Sequence, residues 1–189
     1  IPEHKIRIIK PALGGGFGGK RDLLEPSFCA ILLARLAGRP VKVEYSREEE
    51  YTVTRHRHAM DIRLTAGAQK DGSLVFFDCR NVVDNGAFNS RGPVITSAAG
   101  HALAAIYRVQ GVRYDCKLVY TNTAAGGAFR GFGNLQMRFA IESMVDMIAE
   151  KVGVDPLDIR LMNAIGPGEI TPDKKRVTSC GLTECIQEV

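Results

Sequence analysis

The 189-residue chain is 45% apolar and 24% charged, with net charge +4 and pI ≈ 8.9, a globular composition with enough apolar material for a core. Its basic residues alternate with acids, and the longest basic run, Lys174-Lys175-Arg176, is too short to be a nucleic-acid footprint. No apolar stretch approaches the ~20 residues of a membrane span, and cysteines at 29, 79, 116, 180 and 185, without zinc-ligand spacing, fit a reducing cytoplasm.

This length accommodates a single domain over residues 1–189, or two subdomains with a boundary near 40–60. The chain opens on Ile1-Pro2-Glu3 without a Met and closes on Cys185–Val189 inside a helical pattern. Both ends are therefore expected to be cuts in a longer polypeptide or a split subunit.

The first element expected is a strand over Lys5 to Lys10, where Ile6, Ile8 and Ile9 supply β-branched residues. A glycine-rich segment follows, Gly14-Gly15-Gly16-Phe17-Gly18-Gly19-Lys20. Pro26 to Ala37 predicts a helix that is apolar nearly all round and hence buried, with Pro26 in its first turn, Gly38 after its end and Pro40 beyond. Val41 to Tyr45 reads as a short strand, and Arg47 to Glu50 as a polar, acidic patch. Strands over Met60 to Thr65 and Leu74 to Val83 are joined around Lys70-Asp71-Gly72-Ser73, a hairpin signal.

Asn85-Gly86 marks a reversal, Pro93 to Tyr107 a small-residue helix, and Val112 to Tyr120 a further strand. The strongest helix runs from Leu135 to Val152. One face carries Met137, Ala140, Ile141, Met144, Val145, Ile148, Ala149 and Val152, and the other Arg138, Glu142, Asp146 and Glu150. Arg138 and Glu142 also stand at i,i+4 spacing. Gly153 ends this helix, Asp155-Pro156 starts a short one reaching about Asn163, and a last helix begins near Leu182. Strands and helices without strict βαβ alternation predict an α+β fold, a mixed sheet with packed helices.

A second glycine-rich segment, Gly126-Gly127-Ala128-Phe129-Arg130-Gly131-Phe132-Gly133, lies about a hundred residues after the first. Each sets an aromatic among glycines, whose missing Cβ allows a close backbone approach. One such loop is a common anion cradle; two suggest one large ligand gripped from two sides by main-chain N–H groups. Gly14-x-Gly16-x-x-Gly19 also matches the dinucleotide fingerprint, which leaves a nicotinamide-dinucleotide-binding domain as the rival. That fold starts its helix within the glycines, against the pyrophosphate. Here the helix signal waits until Pro26, and the second loop would have no role.

Leu13-Gly14-Gly15-Gly16-Phe17-Gly18-Gly19-Lys20 and Ala128-Phe129-Arg130-Gly131-Phe132-Gly133-Asn134-Leu135-Gln136 closely resemble the paired signatures of the molybdenum-binding subunit of the xanthine dehydrogenase and aldehyde oxidase family. The likeness extends along the chain through Gly38-Arg39-Pro40-Val41-Lys42, Ala149–Pro156 and Arg160–Ala164. It implies part of a molybdenum-dependent hydroxylase that oxidises a heteroaromatic or aldehyde carbon with oxygen from water. It also implies a molybdenum–pterin cofactor, molybdopterin or its cytosine dinucleotide form, whose dithiolene holds the metal so that no protein ligand is needed. By resemblance, Gly16, Phe17, Gly18, Ala128, Phe129, Arg130 and Gly131 contact the cofactor and Phe132 faces the substrate. Iron–sulfur clusters and FAD belong to partner domains or subunits, and the general-base glutamate lies outside this chain. Nucleic acid and membrane are not expected partners.

Two departures bear on the substrate. Purine-oxidising members carry a Glu after the lysine of the first motif, where this chain has Arg21. Their second purine-holding residue, an Arg, aligns near Ala98. Arg21 in the pocket would favour an anionic heteroaromatic acid, while a solvated or ion-paired Arg21 is equally compatible. His101 is a candidate for the substrate channel or a structural His. Arg55-His56-Arg57-His58 is either a basic anion site or a packed loop. The second class of function is a non-catalytic scaffold or assembly module that has kept the motifs.

Overall fold

The computed structural model describes residues 1–189. After a 3₁₀ turn at Glu3–Lys5 the elements are α1 (Glu25–Ala37), α2 (Arg47–Val53), β1 (Met60–Ala68), β2 (Leu74–Asp84), α3 (Gly92–Ala102), β3 (Gly111–Val119), α4 (Asn134–Val152), α5 (Pro156–Asn163) and α6 (Leu182–Gln187). The α+β expectation holds. The three strands form one mixed sheet in the order β1-β2-β3, with β1 antiparallel and β3 parallel to β2. A parallel neighbour needs a crossover connection, and α3 supplies it.

Each central element buries one face for a periodic reason. In β2, Phe77, Cys79, Asn81 and Val83 alternate inward. In α4, Met137, Ile141, Val145 and Ala149, each four residues after the last, are fully buried, forming the stripe expected of an amphipathic helix. Leu103 and Tyr107 join them, and Ile159 of α5 closes the cluster. Asp155 caps α5 by accepting from Leu157 N (2.7 Å) and Asp158 N (3.3 Å), as the Asp-Pro pair predicts. Glu142 does not pair with Arg138; it accepts from Tyr107 Oη (2.8 Å) and Arg160 Nε (3.0 Å). Burial and that carboxylate push the Tyr107 hydroxyl far above its ordinary pKa.

The first fifty-odd residues correct several expectations. Lys5 to Lys10 and Val41 to Tyr45 form no strands, because no neighbour pairs with their backbones. The expected helix is present as α1, but Phe28, Ile31, Leu32, Leu33 and Leu36 are all exposed. Nothing in the described chain packs over it, so its apolar circumference is not buried here. The polar patch after Tyr45 is the helix α2, started by a capping box in which Glu49 N donates to Ser46 Oγ and Ser46 N donates to Glu49 Oε2. The helix expected from Pro93 ends at Ala102, short of Tyr107. Every buried residue lies between His58 and Thr171.

Candidate functional site

The two glycine segments meet. Gly18 (φ +102°) lies so close to the second loop that a Cβ would overlap the Ala128 carbonyl oxygen and stand 2.6 Å from its carbon and 3.0 Å from Phe129 N. No side chain fits there, and the positive φ excludes one independently. The loops enclose a pocket of about 380 Å³ lined by Gly16, Phe17, Gly18, Lys20, Arg21, Ala128, Phe129, Arg130, Gly131 and Phe132. Every cofactor candidate from the sequence is in that wall, with Phe132 and Arg21. His101 is not in that wall: it lies on α3, its Nδ1 3.3 Å from Asp173 Oδ2.

Within each loop, several carbonyls are occupied while several amides are left over. Gly15 O accepts from Lys20 Nζ (2.9 Å) and Gly16 O from Gly19 N (2.9 Å). Phe129 O accepts from Phe132 N (2.8 Å), Arg130 O from Arg57 Nη2 (2.8 Å), and Gly131 O from Asn134 N (2.9 Å). In a trans peptide the N–H points opposite to the C=O, so tying the carbonyl down presents the amide at Gly16, Phe17, Arg130 and Gly131. The amides of Gly16, Phe17, Gly18, Ala128, Phe129, Arg130 and Gly131 donate to no protein acceptor.

Three cations, Lys20, Arg21 and Arg130, line the pocket and no carboxylate does. Asp22, the nearest acid in sequence, is engaged with Ser90 Oγ (2.8 Å) and Arg91 Nε (3.2 Å). Arginines stack on each aromatic: Arg130 over Phe17 at 5.6 Å, Arg21 over Phe132 at 5.7 Å and Arg57 over Phe129 at 4.5 Å. The Arg130–Phe17 stack joins the two loops directly.

The second loop rests on the segment before β1. Gly127 N donates to His56 O (2.9 Å) and His56 N to Ala125 O (3.3 Å). A Cβ on Gly126 would strike the His58 ring at 2.6 Å, and one on Gly127 the Arg55 side chain at 2.5 Å. His58 is buried with Nε2 3.3 Å from Asn85 Oδ1, and burial lowers its pKa, so the neutral ring is favoured. Arg55-His56-Arg57-His58 is thus a packed support for the glycine loop. Sequence reasoning did not connect Arg57 with that loop, since no motif links positions 73 apart; the pairing of His56 with Gly126 brings them together.

The nucleotide alternative fails on geometry. No strand precedes the first glycines, and the next helix starts at Glu25 rather than within them. What remains is a pocket lined by three cations and by residues whose amides donate to no protein acceptor, with no ligand set for a bare metal: no three His, Cys, Asp or Glu side chains gather anywhere in the fold. Such a site fits a cofactor that carries its own metal ligands.

The chain belongs to the family described as the molybdopterin cofactor-binding domain, whose profile matches residues 1–164. It is 43% identical over its full length to a xanthine dehydrogenase molybdenum-binding subunit of Escherichia coli O157:H7, spanning 25% of that protein. It is 42% identical to the nicotinate dehydrogenase large molybdopterin subunit of Eubacterium barkeri, spanning 44% of it. Among solved structures, 93% of the chain superposes on 19% of the aldehyde oxidoreductase of Desulfovibrio gigas with TM-score 0.84 at 32% identity. The chain therefore spans between about a quarter and under half of the curated relatives named here. No helix in it is long and apolar enough to cross a membrane.

Proposed function

We propose that this chain forms two walls of the cofactor and substrate pocket of a molybdenum hydroxylase, which oxidises a heteroaromatic or aldehyde carbon with oxygen from water. The observation that carries the reading is the abutment of the glycine loops at Gly18 and Ala128, with seven free main-chain amides around one cationic pocket. When bound, the molybdenum–pterin cofactor supplies the two-electron oxidation chemistry. Gly16, Phe17, Gly18, Ala128, Phe129, Arg130 and Gly131 hold it by backbone donors, which act as fixed dipoles in a partly desolvated site.

Phe132 faces the substrate and Arg21 stands beside it. With a positive charge where purine-oxidising enzymes have a glutamate, the pocket favours an anionic heteroaromatic acid, since Arg reads a carboxylate by a planar fork. Nicotinate, named in the relative from Eubacterium barkeri, is a compound of that class. The general base, iron–sulfur clusters and flavin come from the rest of the subunit and its partners. Residues before about 40–60, which bury no side chain, form a subdomain completed by those parts.

The test is expression of the whole molybdenum subunit with its partners. Stoichiometric molybdenum and pterin, with label from isotopic water entering an anionic heterocycle, supports the proposal. Clean assembly without metal overturns it and favours the scaffold role. Turnover of xanthine but of no anionic heterocycle overturns the role of Arg21 alone.

A further inference from the structure

Arg57 lies outside the wall of the loop pocket and yet holds that wall in shape. Its Nη2 donates to Arg130 O at 2.8 Å, its Nη1 lies 3.4 Å from Gln136 Oε1, and its guanidinium stacks 4.5 Å from the centre of the Phe129 ring. Gln136 in turn donates from Nε2 to His58 O at 2.9 Å. The network therefore runs from the entry to β1, through the start of α4, to the peptide between Arg130 and Gly131. Arg57 itself lines a neighbouring pocket of about 320 Å³ with His56, Asp84 and Thr123.

We propose that Arg57 is a positioning residue of the cradle: by pinning the Arg130 carbonyl it fixes the direction in which the Gly131 amide is offered to the anionic ligand. The inference rests on the cofactor reading above. Because C=O and N–H of one trans peptide are opposed, holding the oxygen on the Arg57 side leaves the Gly131 N–H on the other, and that N–H has no protein acceptor. The loop needs the hold. Gly131, Phe132 and Gly133 have φ of +97°, +51° and +90°, and a Phe in the left-handed region persists only where its surroundings impose it. Without the clamp, rotation of the peptide would turn the Arg130 carbonyl toward the ligand and exchange a donor for an acceptor. A lysine reaches one carbonyl as a point charge but cannot bond Gln136 and stack on Phe129 together.

The experiment uses the whole molybdenum subunit assembled with its partners, as wild type, Arg57→Lys, Arg57→Gln and Gln136→Leu. Molybdenum release during dialysis and the Mo(V) paramagnetic resonance signal are read beside the thermal midpoint. Arg57→Gln is expected to release molybdenum about 10- to 100-fold faster, as loss of a charge-assisted bond implies, with an altered Mo(V) signal and an unchanged midpoint of the metal-free protein. Arg57→Lys recovers part of the retention. Equal retention and an identical signal in both Arg57 variants, with wild type loaded, overturn the proposal and leave the cofactor reading intact. A metal-free wild type overturns that reading first. Should the Arg57 variants fail to fold, Gln136→Leu decides: faster release supports the clamp, and wild-type release overturns it.

Discussion

Replacing Gly18 by alanine tests the two-sided cradle most directly. The added Cβ would lie 2.6 Å from Ala128 C and 3.0 Å from Phe129 N, whereas carbon atoms rest at ~3.5–4.0 Å. The loops must part by roughly 1 Å, the difference between those values. Alternatively Gly18 abandons φ +102°, a conformation that costs a residue with a Cβ about 1–3 kcal/mol. Either way, amides on one wall leave hydrogen-bonding distance of a group held by the other. Each charge-assisted bond lost weakens retention about 10- to 100-fold. The strain falls on cofactor binding rather than on folding, because every buried residue lies beyond the first loop, from His58 to Thr171.

In the whole subunit, Gly18→Ala is expected to lose molybdenum on dialysis while the metal-free protein keeps the wild-type melting temperature. Molybdenum retention equal to wild type would refute the two-wall argument. A large fall in the metal-free melting temperature would refute the claim that the first loop lies outside the core.

Asn163 is buried, accepting from Leu74 N (2.8 Å) and donating to Gly72 O (3.0 Å) and Ile159 O (2.8 Å). Asn163→Ala strands these groups at about 1–3 kcal/mol each, which urea denaturation should register as a marked loss of stability. Arg108 donates to both carboxylate oxygens of Glu169 (2.7 and 2.8 Å) and Gly166 N adds a third bond, holding the Glu169 pKa at about 2 against its ordinary 4.5. A depressed carboxylate stabilises the fold above its unfolded pKa, and that contribution is lost as pH falls from 4.5 to about 2. With both side chains partly exposed it is worth no more than about 1 kcal/mol; urea midpoints against pH should show a flatter acid limb in Glu169→Gln. Hydrogen exchange of the 189-residue chain should find slow amides in the strands and in α3 and α4, and fast exchange before His58. Protection of α1 matching that of α4 would contradict this placement.

What was legible in the sequence was local. The stripe of Met137, Ile141, Val145 and Ala149 declared α4, Asp155-Pro156 the start of α5, and Asp71-Gly72 the hairpin, because spacing and turn chemistry act within a few residues. The glycine motifs marked the two loops for the same reason: Gly18, Gly126 and Gly127 each need a backbone that a Cβ would spoil. The failures lay where partners decide. Ile6, Ile8 and Ile9 have the composition of a strand, but a strand exists only beside another. α1 has the composition of a buried helix, but nothing in these residues covers it. Ser46 and Glu49 spelled out a capping box that acidic composition obscured.

The sequence by itself determined that two glycine loops exist, which aromatics they carry, and that Arg21 stands after the first. Only the tertiary structure decided that Gly18 touches Ala128, that Arg57 grips the second loop from behind, and that His101 lies beside Asp173. The division has a physical cause. Backbone freedom and helical periodicity are properties of neighbouring residues, whereas the aim of an amide depends on what holds the opposite side of its peptide, and here that holder is 73 positions away.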